Sequence, residues 1–328
     1  MRTNVRLSRF AALLLAAASS FSAAAQSPAW PARPVHVIAT SPPGGSVDLL
    51  ARIAAEEFGR EFGQPFVVEN RPGANGNIGA ELVLKAPADG HMLFVAPPGP
   101  FSINASIMAS MPFDPAADIA PVALLGVSPL LLVVHPSVPV SNVSELIAWM
   151  KSRAGGVNYA SQAVASTGHL AMELFKSRAG VSATHVPYKG SAAQATSDLL
   201  AGRVALGFVN TSTTIPYLRS GQLRAIAVAE KRRIAAAPGI PTLDESGLPG
   251  FEATPWLGMG ARAGTPPEIV RRLNGASARA LARTDVLARL ERVGIEPRPM
   301  SPEDFAAFVS AETDKWGAII RRSGAKVE

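Results

Sequence analysis

Cysteine is absent from all 328 residues. That excludes disulfide bracing, a thiol nucleophile and a lipid tether on cysteine, so stability has to come from burial alone. Histidine is scarce as well. The five are His36, His91, His135, His169 and His185, and no two stand three or four residues apart, so no helical pair can hold a metal. Long apolar runs are missing after residue 25, where none approaches the roughly 18–20 residues of a membrane span. There is no G-x-S-x-G elbow, no H-E-x-x-H, no P-loop and no G-x-G-x-x-G, and no carboxylate pair falls in a candidate loop. Hydrolytic, metal-dependent and nucleotide chemistries lose their usual marks.

What is present begins with a leader. Arg2, Arg6 and Arg9 precede an uncharged apolar run, Phe10 to Ala18, and small residues ending in Ala25 before Gln26. This order predicts a secretory signal peptide over 1–25, cleaved after Ala25, and an exported, untethered, soluble chain. Without the leader the 31 Lys and Arg fall to 28 against 25 Asp and Glu, a net +3 in place of +6. The basic clusters Lys231-Arg232-Arg233, Arg271-Arg272 and Arg321-Arg322 are short and read as solvated helix ends, so no nucleic-acid partner is expected.

From Pro34 onward, short β-branched runs alternate with longer amphipathic ones, the pattern of βαβ units. Val35–Ala39 reads as a strand, Val47–Phe62 as a helix stopped by Gly63-Gln64-Pro65, Phe66–Val68 as a second strand, Ile78–Lys85 as a helix and Met92–Ala96 as a third strand. Val122–Val134, interrupted by Gly126 and Ser128-Pro129, reads as one strand leaving a first unit and another entering a second. The alternation then repeats: helices at 143–152, 167–178, 192–201 and 215–220, strands at 157–160, 183–186, 204–209 and 223–228. The stretch 247–264 is rich in Gly and Pro and reads as the return crossing. Two helices follow at 267–283 and 302–322, the second opened by Ser301-Pro302-Glu303-Asp304; both are expected to pack on the first unit. The expectation is a clamshell: a signal peptide at 1–25, one lobe from 26–128 and 251–328, a second from 129–250, and a hinge of two crossings.

Two loops face the expected cleft. Thr40-Ser41-Pro42-Pro43-Gly44-Gly45-Ser46-Val47-Asp48 joins a strand to a helix, and its glycines and helix N-terminus suit a carboxylate or phosphate; the bland reading is a turn that only caps. Tyr159 to His169 repeats the arrangement with hydroxyls from Ser161, Ser166 and Thr167. A histidine in a first helical turn, as His169 is, more often props a loop than touches a ligand. Asn70 to Gly79 also follows a strand and opens a helix.

At these residues the chain resembles the Bug family, the periplasmic substrate-binding proteins of tripartite tricarboxylate transporters. The resemblance rests on Trp30-Pro31-Ala32-Arg33-Pro34, on Pro42 to Arg52, on Gly63 to Ala74, on Ala88-Asp89-Gly90-His91, on His185 to Gly190, on Leu223 to Val228, on Pro241 to Glu245 and on Ala263 to Pro266, in order along the chain. It implies a two-lobed periplasmic-binding-protein (Venus-flytrap) fold of the α/β class, each lobe a mostly parallel sheet flanked by helices. It also implies a monomer without cofactor that captures a small carboxylate-bearing solute and delivers it to membrane permease subunits. Carried over by position, the ligand residues are Pro43, Gly44, Gly45, Ser46 and Asp48 on one side, and Ser161, Ala165, Ser166, Thr167 and His169 on the other, with Asn210 at a strand end. Three departures stand out: Ala163 and Ala165 where glycine is usual, Val209 where an acid is common, and the less polar Pro97-Pro98-Gly99-Pro100. Two rival readings remain, an exported hydrolase using Ser161 or Ser166 with His169, and a sensor subunit for a signalling partner.

Overall fold

The computed structural model describes residues 30–188 and 192–323, so the expected leader lies outside the described residues. β1 (Val35–Ala39) leads through a glycine loop into α1 (Ser46–Phe62), β2 (Phe66–Asn70) into α2 (Asn77–Leu84), and β3 (Met92–Ala96) into a helical turn, Gly99–Ile103, continued by α3 (Asn104–Ile107). A short α4 (Pro115–Asp118) precedes β4 (Ile119–Val127). After Ser128-Pro129 come β5 (Leu130–Val134), α5 (Val143–Lys151), β6 (Asn158–Ser161), α6 (Thr167–Ala179), β7 (Thr184–Pro187), α7 (Ala192–Leu200), β8 (Leu206–Asn210), α8 (Thr211–Arg219) and β9 (Arg224–Val228). The chain returns through β10 (Trp256–Arg262) to α9 (Pro267–Ala282), α10 (Thr284–Arg292), β11 (Glu296–Pro297) and α11 (Pro302–Ser323).

These strands make two sheets, β11-β4-β10-β3-β1-β2 and β7-β6-β8-β5-β9, each flanked by helices. Both sheets are mixed, which corrects the expectation of mostly parallel ones. Strand–helix–strand units return in the same direction and give the parallel pairs β1–β2, β1–β3, β6–β7 and β6–β8. The strands that carry the chain between sheets run against their neighbours, so β10 is antiparallel to β3 and β4, and β5 to β8 and β9. A crossing strand has no helix to turn it round.

Helix α1 shows how the pattern becomes structure. Val47, Leu50, Ala51, Ile53, Ala54 and Phe58 fall on one stripe and are all buried, each large one contributing about 1.5–3 kcal/mol. Gly63 ends the helix in the left-handed conformation (φ 69°), its N–H donating to Gly59 O. Strand β10 is unlike a sequence-readable strand. Its glycines are required by contact: a Cβ on Gly258 would lie 2.5 Å from Phe305 Cζ, and one on Gly260 2.5 Å from Phe94 Cζ.

The last helix, α11, starts where expected, with Asp304 N–H donating to Ser301 Oγ at 3.0 Å. It does more than pack on the first sheet. Trp316, Ile319 and Ile320 belong to the same buried cluster as Leu170, Leu174 and Phe175 of α6, while the helix also lies on β4. A third connection thus joins the two sheet units beside the two chain crossings.

Candidate functional site

A cavity of about 470 Å³ lies where the strand ends of the two sheets meet. The starts of four helices line it, beside Asn75, Pro97, Pro98, Gly99, Ser128, Pro255 and Leu257. The four starts belong to α1 through Gly44, Gly45, Ser46 and Val47, to α6 through Ser166, Thr167 and Gly168, to α7 through Ala192 and Ala193, and to α8 through Asn210 and Thr213. Each carries the partial positive charge of a helix start. Among the described lining residues no side chain is charged.

In the first loop Gly44 has φ +85°, a conformation that a Cβ would strain. Asp48 does not line the cavity. It is 5% exposed and braces the loop from behind: Oδ2 accepts from Gly44 N–H at 3.0 Å and Arg52 Nε at 3.1 Å, Oδ1 from Asn70 Nδ2 at 2.9 Å. Burial pushes its carboxyl pKa up, but the Arg52, Gly44 and Asn70 hydrogen bonds together hold it below the usual value.

In the second loop Ser166 caps α6, its Oγ accepting from His169 N–H at 3.3 Å and donating to Ala163 O at 2.8 Å. Ala165 lines the cavity with φ +66°. A left-handed alanine costs about 1–2 kcal/mol, of which its buried methyl returns about 0.8 kcal/mol. His169 stands behind it, Nδ1 accepting from Ala165 N–H at 3.1 Å, so the proton sits on Nε2, toward Glu173 Oε1 at 3.9 Å. Ser161 also stands behind the wall, 1% exposed, with Oγ donating to Ala163 O at 2.9 Å and lying 2.6 Å from His185 Nε2. Of the eleven residues expected at the site, Pro43, Gly44, Gly45, Ser46, Ala165, Ser166, Thr167 and Asn210 line the cavity, and Asp48, Ser161 and His169 form a supporting layer.

His169 and His185 stack at 4.1 Å, with the Tyr159 ring 5.0 Å from His185 and 6.4 Å from His169. Burial, then His169 and Lys176, push His185 down to about 3; burial is also the main cause that lowers His169, against the pull of Glu173. His185 therefore stays neutral in the folded chain where its unfolded counterpart charges, and its contribution to stability is fully present above about pH 6.5 and falls between there and about pH 3, by about 1.4 kcal/mol per pH unit. His169, lowered as well, adds to the loss in the same direction. Urea midpoints measured from pH 7 to 4 should show this slope, and His185→Gln should make it shallower; an unchanged slope would remove the stack as its cause.

Asn210 ties three elements together: Oδ1 accepts from Gln162 Nε2 at 2.6 Å, and Nδ2 donates to Ser128 Oγ at 3.0 Å. Val209, before it, is 4% exposed and packs in the core, so it shapes no part of the wall. The sequence reading did not select Asn75, Gln162, Ser128 or Thr213, all of which line the cavity, whereas Pro97, Pro98 and Gly99, in the run it expected to make the wall less polar, also line it. Asn75 (φ 51°) donates through Nδ2 to Asn104 Oδ1 at 2.7 Å and to Ala165 O, on the opposite loop, at 3.5 Å. The glycine-rich loop and the Pro-Pro-Gly-Pro run were its only advance signals. Gly168 is required by packing, since a Cβ there would lie 2.6 Å from Phe208 O. Gly168→Ala gains up to about 1 kcal/mol of helix propensity but forces α6 off β8 at about 1–3 kcal/mol. With the full propensity gain, a net loss of up to about 2 kcal/mol is expected in urea unfolding, and a stabilised variant would contradict the contact.

Two sheets with a shared inter-sheet cavity and opposed helix starts define the class of bilobal periplasmic solute receptors. Residues 50–325 match the family model "Tripartite tricarboxylate transporter family receptor", and the chain belongs to that family as a solute receptor. It is 37% identical over 313 residues to Protein BugT of Bordetella pertussis, covering 95% of this chain and 96% of the relative. Among solved structures it is similar to R. palustris Rpa4515 with adipate (39% identity, TM-score 0.84, 91% of this chain and 100% of that one). It is also similar to MatC of Rhodopseudomonas palustris with bound malate (33%, TM-score 0.80, 89% and 100%).

Proposed function

We propose that this receptor captures a small carboxylate-bearing solute between two lobes, 26–128 with 251–328 and 129–250, and hands it to the permease subunits of a tripartite transporter. It works in the periplasm after loss of a leader ending at Ala25. The observation that carries this reading is that the starts of four helices line a cavity with no charged lining side chain among the described residues. The adipate and malate held by similar proteins support an acid as ligand. A hydrogen bond to a charged group contributes about 1.5–3 kcal/mol, and a micromolar Kd needs about 8 kcal/mol. Four or five backbone and hydroxyl donors suffice.

The hydrolase reading loses support from Ser161. Its Oγ is 1% exposed behind the wall, with Ala163 O at 2.9 Å and His185 Nε2 at 2.6 Å, and it does not line the cavity, so a solute there does not meet it. A thermal-shift screen of carboxylates tests the proposal: a ligand at 100 times its Kd should add about 2.7 kcal/mol. If no acid raises Tm, the proposal fails.

A further inference from the structure

A chain of side-chain amides runs from two methionines to the wall of the cavity. Asn77 is buried at the start of α2, with Nδ2 3.2 Å from Met108 Sδ and 3.3 Å from Met111 Sδ. A thioether sulfur can only accept, so the sulfurs draw Nδ2 toward themselves and leave Oδ1 facing Asn104. Asn104, wholly buried on α3, donates from Nδ2 to Asn77 Oδ1 at 2.6 Å and to the Asn75 carbonyl at 3.3 Å. Its own Oδ1 accepts from Asn75 Nδ2 at 2.7 Å. Each amide fixes the sense of the next, so the orientation of Asn75, which lines the cavity, is set from the buried end.

The same nitrogen reaches across the gap between the sheets. Asn75 Nδ2 donates to Ala165 O, on the opposite loop, at 3.5 Å. Ala165 is the left-handed residue whose N–H donates to His169 Nδ1 at 3.1 Å. Its N–H is thus held from behind by His169 and its carbonyl from across by Asn75. Asn75 has little room to shift, since a Cβ on Gly99 would lie 2.9 Å from its Nδ2. Position adds leverage. The loop of Asn75 leaves β2, the edge strand at the end of the sheet away from β4 and β10, which carry the two chain crossings. The Asn210–Ser128 bond, by contrast, sits at a crossing.

We propose that Asn75 is a positioning residue that clips the two sheet units together at the cavity: its oriented amide holds the Ala165 loop, and with it the start of α6, against the first unit. One neutral hydrogen bond shifts the balance between joined and parted units about two- to tenfold. The clip concerns the two units and not the chemistry of the solute, so its failure leaves the carboxylate reading, which thermal shifts test, where it stands.

The cysteine-free chain carries spin labels only where cysteines are introduced. Lys85→Cys on α2 and Ser144→Cys on α5, both exposed, place one label on each unit of the ligand-free protein, and double electron–electron resonance reads the distance between them. The parent should populate the distance that this structure gives. Asn75→Gly suits the left-handed backbone there (φ 51°) and deletes the amide, while Asn75→Asp sets an acceptor against Ala165 O and Asn104 Oδ1. Each should raise the ratio of longer to shorter distances about two- to tenfold. Urea unfolding of the same proteins separates the clip from a local role: lost stability with an unchanged distance distribution in both variants would confine Asn75 to its own loop and overturn the proposal. A parent with no population at the distance of this structure would overturn it as well.

Discussion

Ser46→Asp is expected to abolish binding of a carboxylate ligand, with a loss of at least about 100-fold, and to leave the fold intact. Ser46 is the first residue of α1 and lines the cavity. An aspartate at a helix start is favourable for the helix itself, by about 0.3–1 kcal/mol. The same negative charge stands where a ligand carboxylate has to come, and two like charges at about 4 Å repel by about 4 kcal/mol at an effective dielectric constant of 20. The two effects have opposite signs on two measurements, unfolding and binding, which separates a damaged protein from a blocked site. Unchanged calorimetric affinity in Ser46→Asp would remove this loop from the ligand's surroundings.

Glu312→Ala is expected to lower stability by about 3–5 kcal/mol. The carboxylate is 6% exposed and accepts from two buried indoles, Trp256 Nε1 at 3.0 Å and Trp316 Nε1 at 2.8 Å, while Lys315 pairs with its other oxygen. Removing it leaves two donors unsatisfied at about 1–3 kcal/mol each and opens a cavity between β10 and α11. Glu312→Gln keeps an acceptor oxygen for the indoles and should cost less than half as much. Urea unfolding of both variants checks the ranking; a Glu312→Ala variant within 1 kcal/mol of the parent would show that water replaces the carboxylate.

The strand and helix alternation from Val35 to Val228 was legible because apolar period and turn residues agree there, and most boundaries fall within a few residues. β10 was not. Its Trp-Leu-Gly-Met-Gly run reads as a crossing, and the glycines make sense only once Phe94 and Phe305 are beside them. Helix α10 was also missed: the reading ends a helix at Arg283 and resumes only at Pro302, whereas a single extended residue, Arg283 (ψ 136°), separates α9 from a further helix. At the site, sequence placed the loops but not the direction in which each polar side chain points. Asp48, Ser161 and His169 have the chemistry of ligand contacts and are turned inward, because each satisfies backbone groups of its own loop. Asn75 was missed for the converse reason, its partners Asn104 and Ala165 being distant in sequence.

Helix α11 changes how such a receptor can move. A clamshell joined only by two strands could gape until solvent stopped it. Here, gaping would peel Trp316, Ile319 and Ile320 from α6 and expose them, at about 1.5–3 kcal/mol for each side chain. Helix α11 thus ties the two sheet units together by buried apolar contact as well as by the chain crossings.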